Sequence, residues 1–498
     1  MPQRGSDPSE PRRFSARCTY PDLVRGSWLN QADPLPVTET SGDIAAFVAS
    51  VGVVLFKQFV DNDLGCASYL VGDEQAGVAV VVDPAYAIEQ YLDECRRHRI
   101  ELTEVLETHT HADHLSGHGR LALEHGLPVR VHAAAGATFP HEALQDGTEI
   151  ELGEVVIRTL HTPGHRPEHC AFAVTDRSRA DEPWLVLTGD SLFVGDAARP
   201  DLAVESIEGA EGLFHSLRRL VELGDSVEVF PGHVAGSLCG AAMSSKSSTT
   251  IGFERRFNHA LAETYEDFMA KAGGPQPPRP PNMEAIVQLN RGPFLAAQPP
   301  LAHLDVAPHD AVVLDVREAH AFVDGHRTGA VNVPVSGSSF GTRAAFVLPE
   351  RAIVLDAADE EEARHAARGL HAVGLFDLVG WREGGGGERV VPVTIEELER
   401  QLAADEIELL DVREADERDQ GFIPGSTHLP YRNARQAAAN GLCGERPIVT
   451  ICETGSRAAI AASVLHAAGL DARPVLDGGL TLWRARGGEM TTFRRCGS

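Results

Sequence analysis

Residues 108–114 read Thr-His-Thr-His-Ala-Asp-His, which places His109, His111, Asp113 and His114 within six positions. The apolar run 102–106 just before them has the character of a strand, so these side chains sit where a strand opens into a loop and can converge on one point. Imidazole mixed with carboxylate suits zinc or iron better than calcium or magnesium, whose shells are built from oxygen. The competing explanation is a chance cluster of solvated histidines in a chain that has 22 of them. It loses to the order of residues downstream.

Three further donors follow in sequence: His165 in Thr162-Pro163-Gly164-His165, Asp190 in Thr188-Gly189-Asp190, and His233 in Pro231-Gly232-His233. Each comes just after an apolar run, at 155–160, 185–187 and 227–230, as expected of ligands gathered along one edge of a sheet sandwich. Glycine beside each donor lets backbone approach closely. Through this series the chain resembles the metallo-β-lactamase superfamily over roughly residues 53–260. The resemblance implies an αββα sandwich with metal at the sheet edge and leaves the metal and the reaction open.

A chain of 498 residues, 43% of them apolar and with no run of eighteen apolar residues, is expected to form several soluble domains and no membrane span. The longest apolar stretch, 44–56, is broken by Gly52 and followed by Lys57, and it reads as a helix and a first strand rather than a signal peptide. A cytoplasmic protein is expected. The net charge of −28 argues against nucleic acid and other polyanionic partners, because a nuclease needs a basic groove. Eight scattered cysteines do not make a disulfide scaffold and fit a reducing compartment.

Composition divides the chain. A polar, proline-bearing extension at 1–42 is expected to be flexible, and a metal-binding sandwich domain occupies 43–272. Helical periodicity runs through 253–271 until a Pro/Gly-rich linker at 273–283 breaks it. Two mutually similar stretches follow, 284–387 and 388–498, divided at the run Gly384-Gly385-Gly386-Gly387. Val313-Leu314-Asp315-Val316-Arg317-Glu318 is answered by Leu409-Leu410-Asp411-Val412-Arg413-Glu414. Gly329-Ala330-Val331-Asn332-Val333-Pro334 is answered by Gly425-Ser426-Thr427-His428-Leu429-Pro430. Both copies resemble the rhodanese domain, a small α/β unit around a parallel sheet.

Chemistry separates the copies. In the second, the apolar strand 447–451 runs into Cys452-Glu453-Thr454-Gly455-Ser456-Arg457 and then an alanine-rich helix. A tight loop between strand and helix aims backbone N–H groups and the positive helix end at the sulfur, which favours a thiolate or a persulfide. Arg457 is the expected donor to an anion such as sulfite or thiosulfate. Related phosphatases carry one more residue between cysteine and arginine, so the four residues here favour sulfur chemistry. Phe422 stands where many relatives have histidine, and it reads as structural tuning. In the first copy the strand 352–355 is followed by Asp356-Ala357-Ala358-Asp359-Glu360-Glu361, so Asp356 is expected where the second copy has Cys452, and because a carboxylate cannot carry sulfane sulfur this copy is expected to be inactive.

A metallo-β-lactamase domain followed by an inactive and an active rhodanese domain resembles the persulfide dioxygenase and sulfurtransferase fusion proteins. The segments at 190–195, 198–202, 231–240 and 253–258 add to that likeness. It implies a single Fe(II) held by His109, His165 and Asp190, with His111, Asp113, His114 and His233 as supporting groups. It also implies oxidation of a low-molecular-weight thiol persulfide by O2 to sulfite and thiol, with Cys452 passing sulfur between persulfide and sulfite or thiosulfate. Every residue of a dinuclear zinc site is present as well, so a glyoxalase II-like thioester hydrolase is the rival enzyme. A sulfane-sulfur carrier or sensor is the rival outside catalysis. Cys239, six residues after His233, is a candidate redox thiol, whereas Cys66, Cys95, Cys170 and Cys443 are assigned to packing. The inactive copy is the natural candidate for a subunit interface in a homo-oligomer.

Overall fold

In the strands Ala67–Asp73 and Val78–Val82, successive side chains turn to opposite faces, and both faces are buried. Tyr69, Val71, Val80 and Val82 pack inward against Ile157, Phe172, Val174, Leu187 and Phe230 of a second sheet. Leu70, Ala79 and Val81 face the other way, toward Ile88, Tyr91 and Leu121. A strand apolar on both faces needs cover on both, and the chain supplies a sheet on one side and helices on the other.

The structure is a computed structural model that describes residues 54–201, 206–234, 244, 246–272, 279–442 and 446–492. The expected extension at 1–42, linker residues 273–278, Cys239 and Cys443 lie outside the described residues. The first six-stranded sheet is ordered as the chain runs, from Val54–Val60 to Glu142–Leu144, and the second likewise from Glu149–Leu152 to Thr249–Thr250. Helices Glu89–His98 and His118–His125 cover the first sheet, and Ser206–Val221 covers the second. This is the expected αββα sandwich.

The expected continuous helix over 253–271 is broken into Ile251–Phe257, His259–Ala262 and Tyr265–Ala272. Thr264, whose hydroxyl accepts the Asp267 N–H, caps the last helix, and Asn258 causes the first break. Its side-chain oxygen caps the next helix at the Ala260 N–H, while its amide donates to the Asp196 carbonyl and the Glu254 carboxylate.

The two repeat copies build sheets of the same design. In the first, Val312–Asp315 lies between Val331–Asn332 and Ile353–Ala357, with Leu378–Glu383 outermost. In the second, Glu408–Asp411 lies between Thr427–His428 and Ile448–Ile451, with Ala472–Pro474 outermost. All these pairings are parallel. The repeated Asp-Val-Arg turns out to be an internal clamp: Arg317 grips Asp315, and Arg413 grips Asp411. The copies share one apolar cluster, and Ser463 of the second accepts the Asn332 N–H of the first at 2.9 Å. Among the described residues no helix is long and apolar enough to cross a membrane.

Candidate metal centre and sulfur loop

The strand Glu101–Leu106 delivers His109 and His111, Leu185–Gly189 delivers Asp190, and Glu228–Pro231 delivers His233. The last two strands are parallel neighbours, so their following loops leave the sheet at the same edge. One ligand atom each from His109, His165 and Asp190 falls within 4.8 Å of the others. All three residues are buried.

Hydrogen bonds fix which atoms face that point. Thr108 Oγ1 donates to Asp83 at 2.8 Å, so at 2.9 Å it accepts from His109 Nδ1. His165 Nδ1 donates to the Arg199 carbonyl at 3.1 Å. Both rings therefore keep their protons on Nδ1 and present Nε2 lone pairs inward. Burial, with His111, His165 and His169 nearby, holds His109 well below the ordinary imidazole range, and burial lowers His165 too. Burial alone raises the Asp190 carboxyl, but His233 and then His165 outweigh it and keep it an anion. His109 Nε2 and Asp190 Oδ2 are buried with no hydrogen-bond partner. Converging buried acceptors without hydrogen-bond donors are a donor set that a cation would satisfy.

Beside this triad, Cys66, Asp113, His114 and His233 form a second group of donors. Here the atoms satisfy one another. His233 bridges Asp190 Oδ1 and Asp113 Oδ2, at 2.7 Å each, and His114 Nδ1 lies 3.1 Å from Asp113. Cys66 Sγ lies 3.3 Å from both His114 and His233. Cys66, assigned to packing, does sit in an apolar cluster with Leu64, Tyr86 and Leu115, but its thiol also joins this polar group, brought there by an isolated bridge between Cys66 and His233. Cys95 does pack in the apolar layer under the first helix, and Cys170 is buried in the inter-sheet core. His111 turns its Nε2 to Glu107 at 3.2 Å and to Asp83 at 3.3 Å, leaving Nδ1 buried without a partner.

Sequence reasoning missed Asn290, on the helix Met283–Arg291 just beyond the expected linker. Its amide donates to the His111 and His114 carbonyls at 3.0 and 2.8 Å, and its oxygen accepts the Ser116 N–H. One buried side chain thus braces the whole histidine loop. Asn290→Ala should strand three buried polar groups at about 1–3 kcal/mol each where water cannot reach them, and lower metal retention about 10–100-fold. Denaturant unfolding and metal content after dialysis check both.

A cavity of about 770 Å³ opens on Cys66 and His114. Tyr86 and Arg120 line it from the sandwich, and His365, Arg368 and His371 from the first repeat copy.

In the second copy, Cys452 follows the strand Ile448–Ile451 directly and is buried. Its Sγ accepts the Gly455 N–H at 3.2 Å, at the start of the helix Ser456–Ala467. Gly455 has φ +119, and a Cβ there would meet the Leu476 carbonyl at 1.8 Å. Arg457, expected to face an anion, is fastened at 2.5 and 2.7 Å to Glu417, a residue the sequence did not single out. Glu453 is tied to Thr481 and Arg484, Thr454 continues the turn, and Phe422 lies under the Arg418 guanidinium.

The first copy needs a correction. Asp315 pairs with Asp356 as Asp411 pairs with Ile451, so the counterpart of Cys452 is Ala357 and not Asp356. Asp356 is an internal strand residue neutralised by Arg327 and Arg382. Between Ile353–Ala357 and the helix Glu360–Ala372 only residues 358 and 359 remain, against 452–455 in the second copy. The cradle is too short as well as lacking sulfur.

Comparison with known proteins agrees with this geometry. Residues 61–233 match the metallo-β-lactamase superfamily, and residues 394–486 match the rhodanese-like domain. An uncharacterized protein of Mycobacterium tuberculosis is 32% identical over 42% of this chain and 98% of its own length. The chain belongs to the metallo-β-lactamase superfamily. It carries a C-terminal rhodanese-like domain in addition. Persulfide dioxygenase ETHE1 of Bos taurus is 27% identical over 48% of this chain and 87% of its own. A crystal structure of a metallo-β-lactamase from Staphylococcus aureus superposes with a TM-score of 0.62 at 29% identity, covering 67% of this chain and 99% of that one.

Proposed function

We propose that this superfamily member is an Fe(II) persulfide dioxygenase joined to a sulfurtransferase. It oxidises a low-molecular-weight thiol persulfide with O2 to sulfite and thiol, and interconverts sulfite plus persulfide with thiosulfate. The observation that carries the reading is the contrast between the two donor clusters. His109 Nε2 and Asp190 Oδ2 are orphaned beside His165, whereas the Cys66–Asp113–His114–His233 group closes on itself. That fits one metal on a two-histidine, one-carboxylate face better than two. The similarity to persulfide dioxygenase ETHE1 supports the same reading.

Iron at the triad would supply the one-electron chemistry toward O2 that side chains lack. The protein's own groups do the rest. His109 and His165 present neutral nitrogens, and Asp190 supplies the balancing anion. His233 spans Asp190 and the partly exposed Asp113, a route by which a proton can leave the buried site. The cavity at Cys66 and His114 takes the thiol carrier, with the exposed Arg368 available to a carboxylate on it. At the second centre the Cys452 thiolate attacks the outer sulfur of a persulfide, releasing thiol, and then yields that sulfur to sulfite to give thiosulfate. The loop N–H groups hold the oxyanion there, and Arg457, fixed by Glu417, adds its positive charge near Cys452.

The purified chain should contain one iron and consume O2 on glutathione persulfide with sulfite as product. Metal analysis with an oxygen electrode tests this. Two zinc ions held by the sandwich and no O2 uptake would instead favour a dinuclear thioester hydrolase, for which the second cluster has the donors.

A further inference from the structure

A further group of donors lies far along the chain from the sandwich: His326 of the first rhodanese-like copy, Glu388 at the start of the second copy beside the glycine connector 384–387, and His466 further along the second copy. His326 is fully buried. Its Nδ1 donates to the Phe322 carbonyl at 2.9 Å, and the ring stacks on Phe322, which leaves the Nε2 lone pair pointing outward. That Nε2 has no hydrogen-bond partner. Burial lowers the imidazole's proton affinity, so the ring is neutral.

Glu388 is held just as firmly. Its backbone exchanges both hydrogen bonds with His326, and Thr328 Oγ1 donates to Oε1 at 2.6 Å. The other oxygen, Oε2, then stands 3.7 Å from His326 Nε2 and 3.6 Å from His466 Nε2. These separations are informative. A direct N–H to carboxylate hydrogen bond spans about 2.7–3.2 Å. Three ligands each about 2.0–2.2 Å from a tetrahedral zinc stand roughly 3.3–3.6 Å apart. Both separations from Glu388 Oε2 are too long for hydrogen bonds and close to the spacing of ligands on one ion, and the three donor atoms lie within 4.8 Å of one another.

The connector is shaped to reach this place. A Cβ on Gly386 would collide with the His326 carbonyl at 2.0 Å, so the glycine run lets the chain lie against His326 and bring Glu388 round to it. His466 sits in the last turn of the helix Ser456–Ala467, whose first turn closes the Cys452 loop.

The geometry points to a divalent transition-metal site, best suited to zinc, in which His326 Nε2, Glu388 Oε2 and His466 Nε2 join the two rhodanese-like copies, solvent taking the fourth position. The ion pins the cysteine-bearing helix to the copy without a cysteine, which gives that copy a structural role.

The test uses the full chain carrying His109→Ala, His111→Ala and His114→Ala, which removes one donor from each of the three donor clusters of the sandwich. Zinc titration of this chain against a chromophoric chelator should count one tight equivalent. Adding His466→Ala, at a partly exposed side chain, should remove it. In the otherwise unaltered chain, His466→Ala should lower the total zinc capacity by one. A parent variant that takes no zinc from the chelator overturns the proposal. So does a capacity that His466→Ala leaves unchanged in either chain.

Discussion

Replacing His109 with alanine should abolish O2 consumption on glutathione persulfide while sulfur transfer through Cys452 continues. His109 contributes a lone pair whose direction is fixed by a relay from its Nδ1 through Thr108 to Asp83. The opposite nitrogen is buried with nothing to bond to. Losing an outer partner of a metal ligand costs about 10–100-fold. Losing the ligand itself should cost more than about 100-fold, because His165 and Asp190 cannot form a facial set alone. Thiosulfate formation from sulfite and persulfide should stay near the parent rate, since Cys452 lies on a separate sheet with its own loop. An oxygen electrode and a thiosulfate assay on one preparation check both halves. Persisting O2 uptake would remove the triad from the reaction, and loss of both activities would point to a folding defect.

That separation of sites could be anticipated because the chemistry-bearing residues sit at strand ends, where side-chain type and apolar periodicity can be read together. The donors His109, His165, Asp190 and His233 each follow an apolar run, and the sheets do bring them to one edge. Cys66 was hidden for the converse reason. It lies in an apolar stretch, and only its bridge to His233 reveals a polar environment. Asn290 acts on a loop more than 170 positions earlier, at |i−j| of 174 to 179, a distance no local pattern spans. Register explains the misplaced Asp356. Composition located the strand, yet its end could be fixed only by pairing with Val312–Asp315, and the strand runs two residues beyond 355. The continuous helix over 253–271 failed because the apolar period persists through Asn258, whose side chain restarts the helix.

Cys452→Ser should eliminate thiosulfate formation and leave persulfide oxidation to sulfite intact. Sulfane sulfur is carried as an S–S bond, and a serine hydroxyl neither forms one nor ionises near neutral pH. The Sγ is buried, and the bond from the Gly455 N–H with the start of a twelve-residue helix stabilises charge on it. Shape matters as much as the sulfur. Gly455→Ala forces φ +119 on a residue with a Cβ and drives that Cβ into the Leu476 carbonyl. Strain of about 1–3 kcal/mol from the backbone alone should lower the unfolding midpoint, and the displaced N–H should reduce transfer although Cys452 is still present. Sulfite should then accumulate in both variants, because its producing centre is untouched while its consumer is lost. Product analysis by thiol-labelling chromatography distinguishes sulfite from thiosulfate directly. If Cys452→Ser still makes thiosulfate, another thiol carries the sulfur, and Cys66, open to the cavity beside His114, is the first to substitute.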